Sequence, residues 1–157
     1  MKRWVMCRPV GLHRISWRAT CSALTNVDAV ADGLAWLVGD DEAVTLDRST
    51  SYHGPDIVLI EANMKKKKAA LLSLARLGEA NLQRLEDELD QRVDEQHVLH
   101  FRLDMNRFID GEMTLAQTAS TGQIKGQAKI EVYPGQSARE QVRLCLREAA
   151  ELARTMA

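Results

Sequence analysis

Apolar and polar residues alternate most strictly between Gln123 and Tyr133. Ile124, Gly126, Ala128, Ile130 and Val132 take one parity, and Lys125, Gln127, Lys129, Glu131 and Tyr133 take the other. A period of two marks a strand with one buried face. A one-residue slip would carry the whole apolar set into water, so the register is well specified. The same period runs over His13–Ala19, with His13, Ile15, Trp17 and Ala19 opposite Arg14, Ser16 and Arg18. Val98–Asp104, after the acidic turn Asp94-Glu95-Gln96, reads as a further strand. Gly111–Leu115 reads as a short one, Ala43–Ser49 as another, and Ile57–Ile60 as a strand of buried character.

Between the strands the period changes to that of helices. Val27, Val30, Leu34 and Leu37 form one stripe. Thr25 or Asn26 is placed to cap that helix and Gly39 to end it. Met64–Leu77 is helical in pattern, Gly78 breaks it, and Glu79–Val93 resumes with Leu82, Leu85, Leu89 and Val93 on one side and Glu86, Asp87 and Asp90 on the other. Pro134-Gly135 turns the chain. Ser137-x-x-Glu140 is a capping box that opens a last helix to about Thr155, with Val142, Cys145, Ala149 and Leu152 inward and Arg139, Arg143, Arg147 and Arg154 outward. The sum is an α+β two-layer sandwich, a mostly antiparallel sheet with amphipathic helices on its apolar side. Residues 12–157 are expected to form one domain behind a flexible basic leader, residues 1–11.

Composition adds little to this picture until charge is located. The 157 residues are 45% hydrophobic and 27% charged, with a net charge of −1, an ordinary globular balance. The charges are segregated. Met1–Arg18 holds Lys2, Arg3, Arg8, Arg14 and Arg18 and no acid, whereas Asn26–Asp47 holds six acids and no base. Any basic surface is therefore local. Cys7, Cys21 and Cys145 lie far apart with no Cys-x-x-Cys, which removes the spacing that zinc or thioredoxin-type chemistry needs and suits a reducing cytoplasm. No apolar run reaches the ~20 residues that span a bilayer, so no membrane partner is expected.

Candidate chemistry gathers on the polar parity. Arg14, Ser16, Arg18, His100, Arg102, Lys125, Gln127 and Lys129 fall on the outward side of their strands. Any one-sided antiparallel sheet has a polar face, but this one carries an excess of bases. With only 4% aromatic residues, such a surface grips phosphate and shape rather than stacking bases. Lys65, Lys66, Lys67 and Lys68 form a second basic candidate at a helix start, either solvated or touching phosphate. His53, in the loop Tyr52-His53-Gly54-Pro55-Asp56, is a ligand candidate, with an ordinary turn histidine as the plainer account. His97 and His100 stand three apart on an extended segment, hence on opposite sides, and make no metal pair. Asp104, Asp110 and Glu112 are explained by turns. No Ser-His-Asp order, Walker loop or dinucleotide fingerprint occurs, so neither an enzyme nor a cofactor is expected.

Arg92-Val93-Asp94-Glu95, Leu99-His100-Phe101-Arg102-Leu103-Asp104, Gly111-Glu112-Met113-Thr114-Leu115, Ile124-Lys125-Gly126-Gln127-Ala128-Lys129-Ile130 and Tyr133-Pro134 together resemble an archaeal RNA-binding family. Its members are described as predicted exosome-associated proteins. Their fold is distantly similar to ribosomal protein L5 and has been compared to a double-stranded-RNA-binding domain. The likeness runs from about His13 to the C-terminus and includes Ser51-Tyr52-His53-Gly54. The chain departs from it at Tyr52-His53-Gly54-Pro55-Asp56, where members carry Gly-His-aromatic-Gly-Asn, and at Met105-Asn106, where they carry Lys-Gln. The resemblance implies a non-catalytic protein binding RNA during RNA processing, with the exosome, or near the ribosome. A protein-interaction subunit or homodimer covering the same sheet face, without RNA, is the alternative.

Overall fold

A computed structural model describes residues 11–22, 24–50, 56–116 and 122–156. Along the chain, β1 (Leu12–Cys21) is followed by α1 (Val27–Val38), β2 (Val44–Thr50), β3 (Asp56–Met64), α2 (Lys67–Ala75), α3 (Glu79–Asp87), α4 (Leu89–Arg92), β4 (Val98–Asp104), α5 (Met105–Ile109), β5 (Gln123–Ile130) and α6 (Ala138–Met156). The five strands form one antiparallel sheet in the order β2-β3-β1-β5-β4, with the helices packed on it. This is the α+β architecture that the alternation predicts.

The inward parity is the core. Ile15, Trp17 and Ala19 of β1, Ile60 and Ala62 of β3, Leu99, Phe101 and Leu103 of β4, and Ile124, Ala128 and Ile130 of β5 are all buried. They meet Val30, Leu34 and Leu37 of α1, Leu74 of α2, Leu82 and Leu85 of α3, and Val142, Leu146 and Ala149 of α6. Ser73 is the one buried polar side chain among the described residues, and it accepts a hydrogen bond from Trp17 Nε1 at 3.0 Å. That bond removes the cost of about 1–3 kcal/mol that an unpaired buried group would carry. Burial pushes the Cys145 thiol up to about 12 and raises that of Cys21, which keeps both protonated and unreactive.

The predicted ends hold where local chemistry sets them. Asn26, rather than Thr25, caps α1 by accepting from the Ala29 N–H at 3.1 Å. Gly39 closes α1 with φ +74°, a conformation glycine reaches without strain. Ser137 Oγ accepts from the Glu140 N–H at 3.3 Å. No helix among the described residues is long and apolar enough to cross a membrane.

Five expectations need correction. The short strand expected over Gly111–Leu115 is a turn with a single bridge, Leu103 to Leu115. The chain has already coiled into α5, because Asp104 caps it by accepting from the Arg107 N–H at 3.1 Å and Met105 and Phe108 are drawn into the core. Glu79–Val93 is two helices, parted at Glu88, which holds Arg84 at 3.1 Å and Arg92 at 2.6 Å. The strand expected to end at Ile60 continues to Met64, so the following helix starts three residues later than its pattern suggests. β5 stops at Ile130, leaving Tyr133 exposed beyond it. His13 is not on the buried side: the register shifts between Leu12 and Arg14, so Leu12 turns inward opposite Ile130 and His13 faces water.

Candidate nucleic-acid interface

The sheet face away from the helices is built from cross-strand rows. Arg18 on β1 lies directly opposite Lys125 on β5, and Lys125 lies directly opposite Arg102 on β4. Four residues along, Arg14 of β1 lies opposite Lys129 of β5. Directly opposed residues in an antiparallel pair stand about 4.5–5.5 Å apart at Cβ, where like charges destabilise the sheet. Three such like-charge pairs thus share three adjacent strands. Between these rows runs a row without formal charge on its first three members: Asn63, Ser16 and Gln127, then His100. Ser16 Oγ donates to Asn63 Oδ1 at 2.7 Å. A depression of about 230 Å³ opens among Ser16, Arg18, Glu61, Asn63, Lys125 and Gln127.

Among the described residues, the side chains of Arg14, Arg18 and Lys125 make no hydrogen bond and no ion pair, although Glu61 of β3 stands opposite Arg18 in the register. Arg102 donates to Gln123 Oε1 at 3.2 Å and Lys129 to the Gln96 carbonyl, so neither meets a carboxylate. His100 differs: its Nε2 lies 2.7 Å from Asp94 Oδ2. That contact, with the Val98 and Gln96 N–H groups, holds the Asp94 carboxyl down to about 2. The expected basic contribution of His100 is therefore offset by a neighbouring anion. His97 ends the turn before β4, with φ +65°.

Lys65 to Lys68 are all exposed. Lys65 follows Met64, the partner of Ile15, so the run begins one step past the paired strand on the Arg14 side. Lys67 Nζ lies 3.4 Å from Glu131 Oε1, which His13 Nδ1 also contacts at 3.0 Å. The two basic candidates are thus neighbours at one end of the sheet. His53 lies outside the described residues. Asp104 and Asp110 begin and end α5, as turn chemistry suggests, and Glu112 pairs with Arg107 at 3.0 Å.

Asn63 is the residue that pattern reading misses. Its signal is present, since Ile57–Met64 keeps alternating, with Glu61 and Asn63 outward and Ala62 and Met64 inward. The lysine run directly behind it mimics a helix start and hides the strand's last turn of alternation.

The helical side treats its arginines differently. Arg139 pairs with Asp90 at 3.3 Å, Arg147 with Glu86 at 3.1 Å, and Arg154 with Glu79, tying α6 to α3 and α4. On that side these arginines meet carboxylates, whereas on the sheet Arg18, Lys125 and Arg102 stand against one another, with Glu61 at the β3 end of their row.

The fold has solved counterparts. A DUF54-family protein of Archaeglobus fulgidus superposes with a TM-score of 0.67 at 22% identity, covering 88% of this chain and 99% of that one. A DUF54 protein of Methanothermobacter thermautotrophicus gives 0.64 at 21% identity, covering 88% and 98%. A UPF0201 protein of Methanococcus jannaschii gives 0.57 at 11% identity, covering 87% and 98%. At these identities the likeness is one of fold. No curated protein sequence matches the chain. Residues 14–130 match the model of a family described as RNA binding. The match runs from the first cation of the basic face to the last residue of β5, and the chain belongs to that RNA-binding family.

Proposed function

We propose that this protein is a non-catalytic RNA-binding protein that holds RNA by its phosphates across the β1-β5-β4 face. Arg14, Arg18, Arg102, Lys125 and Lys129 make the contact, Lys65 to Lys68 extend it, and His100 lies at its margin. The observation that carries this reading is the row Arg18-Lys125-Arg102, two successive like-charge pairs across β1, β5 and β4, with the one carboxylate of the row, Glu61, at its β3 end opposite Arg18. A sheet selected for stability alone avoids that arrangement, since opposed like charges weaken a pair by about as much as opposite ones strengthen it, roughly 0.2–1 kcal/mol. A polyanion converts the repulsion into attraction and releases counterions. Action in cytoplasmic RNA processing, with the exosome or near the ribosome, follows from the family resemblance and belongs to the same proposal.

The test is the salt dependence of RNA affinity. Each phosphate contact contributes about 0.9 to the slope of log affinity against log salt on duplex and about 0.7 on single strands. Changing Arg18, Lys125 and Arg102 together to Gln should flatten the slope by roughly two to three units. The melting temperature should stay close to the parent's, because the repulsion removed offsets the loss of the Arg18 charge opposite Glu61. An unchanged slope in the folded variant would count against this face and favour a protein partner or second copy upon it.

A further inference from the structure

We propose that the RNA held on this face is double-stranded and is read across its minor groove, an inference that rests on the RNA-binding reading above. The pattern has three parts. Arg18, Lys125 and Arg102 make one basic row across β1, β5 and β4, with Glu61 beyond it on β3, and Arg14 and Lys129 make the other, with Lys65 one step past the last paired residue of β3. The rows stand four residues apart along the strands, about 13 Å at ~3.3 Å per residue. Midway lie Asn63, Ser16, Gln127 and His100: the two amides both donate and accept hydrogen bonds, the Ser16 hydroxyl, which donates to Asn63, can still accept, and the His100 ring is held by Asp94.

Two lines of cations flanking a line of donor-acceptor groups match two phosphate strands flanking a groove whose floor carries hydroxyls. The A-form minor groove is wide and shallow and displays 2′-hydroxyls, whereas its major groove is too deep and narrow for side chains. Shallowness decides the fit, because Ser16 and Asn63 are short and stand on a sheet that cannot enter a groove. The B-form minor groove, about 6 Å wide, is too narrow for rows set about 13 Å apart. The B-form major groove is wide enough at about 12 Å but about 8.5 Å deep, out of reach of a serine hydroxyl.

A single strand is disfavoured by what the face lacks. Single-strand binders stack bases on aromatic side chains. Among the described residues, no Phe, Tyr or Trp points outward from these strands: Trp17 and Phe101 are buried beneath the face.

Fluorescence anisotropy with a duplex RNA of about 20 base pairs, one of its strands alone, and the DNA duplex of the same sequence tests this. The RNA duplex should bind about tenfold or more tighter than either competitor, the worth of one or two hydrogen bonds. Ser16→Ala with Gln127→Ala should cut RNA-duplex affinity about tenfold, leave DNA-duplex affinity nearly unchanged, and keep the salt slope. Gln127→Ala alone serves the same comparison if the double variant does not fold. Preference for the single strand, equal affinity for the DNA duplex, or equal losses on RNA and DNA in the variant would each overturn the inference and leave phosphate-directed RNA binding standing. Absence of binding to any RNA would remove both.

Discussion

At the scale of single residues, Gly126 decides how the sheet closes over its core. It pairs with Trp17 on one side and Phe101 on the other, and the two rings meet edge to face across it with centroids 5.3 Å apart. Such aromatic pairs contribute about 0.5–1.5 kcal/mol beyond their burial, and the Phe101 ring occupies the space a side chain at residue 126 would need. A Cβ built there lies 2.7 Å from Phe101 Cζ and 2.8 Å from Phe101 Cδ2. Gly126→Val should therefore displace the Phe101 ring and cost about 1–3 kcal/mol, as overpacked cores do, despite the better strand propensity of valine. Denaturant unfolding measures this, and a valine variant as stable as the parent would show that the rings do not interlock as described. The glycine lies beneath the basic face, with Lys125 and Gln127 on either side of it in the chain, so disturbance of the ring pair should also reach the binding surface.

At the scale of elements, β5 carries the fold and the face on alternate residues. Ile130 is buried at the end of the strand opposite Leu12, while Lys129 points outward opposite Arg14. Ile130→Asp should unfold the protein or nearly so, because a carboxylate with no partner would enter the core. Lys129→Asp should keep the melting temperature within a few degrees while weakening RNA binding. Thermal melts of the two variants check the register directly, and equal behaviour would mean the strand is drawn one residue out of place. Two of the elements that the local period misplaces share a cause beyond local chemistry. α5 and the extension of β3 through Met64 are set by where Phe108, Met105 and Met64 find burial, and that depends on partners remote in sequence.

At the scale of the whole molecule, charge is sorted by side. The arginines of α6 are tied to carboxylates of α3 and α4, and the cations of β1, β5 and β4 face one another, with Glu61 of β3 opposite Arg18 at the end of their row. The lysine run adjoins this basic side at the Arg14 end, with Lys67 partly engaged by Glu131. If the interface continues around that end, changing Lys65 to Lys68 to Gln should flatten the salt slope by roughly two to three units, three phosphates' worth with Lys67 discounted. Combined with the row Arg18-Lys125-Arg102, the losses should add, because different phosphates are involved. A salt titration in which the lysine variant matches the parent would confine the interface to the sheet.

The sequence by itself determined the layer architecture, the parity of every residue from Lys125 to Lys129, and the capped ends of the first and last helices. Each of these depends on a local period or on a cap a few residues away, which physical chemistry allows one to read along the chain. It also placed five cations on the outward parity of their strands. Only the tertiary structure decided the strand order β2-β3-β1-β5-β4, and with it that Arg18, Lys125 and Arg102 are neighbours across strands more than a hundred residues apart in the chain at their widest. It likewise brought Asp94 to His100 and placed Asn63 beside Ser16. Parity tells which side of a sheet a residue faces; which residues stand next to it on that side is a matter of long-range pairing, set by how the apolar faces of all five strands are buried together.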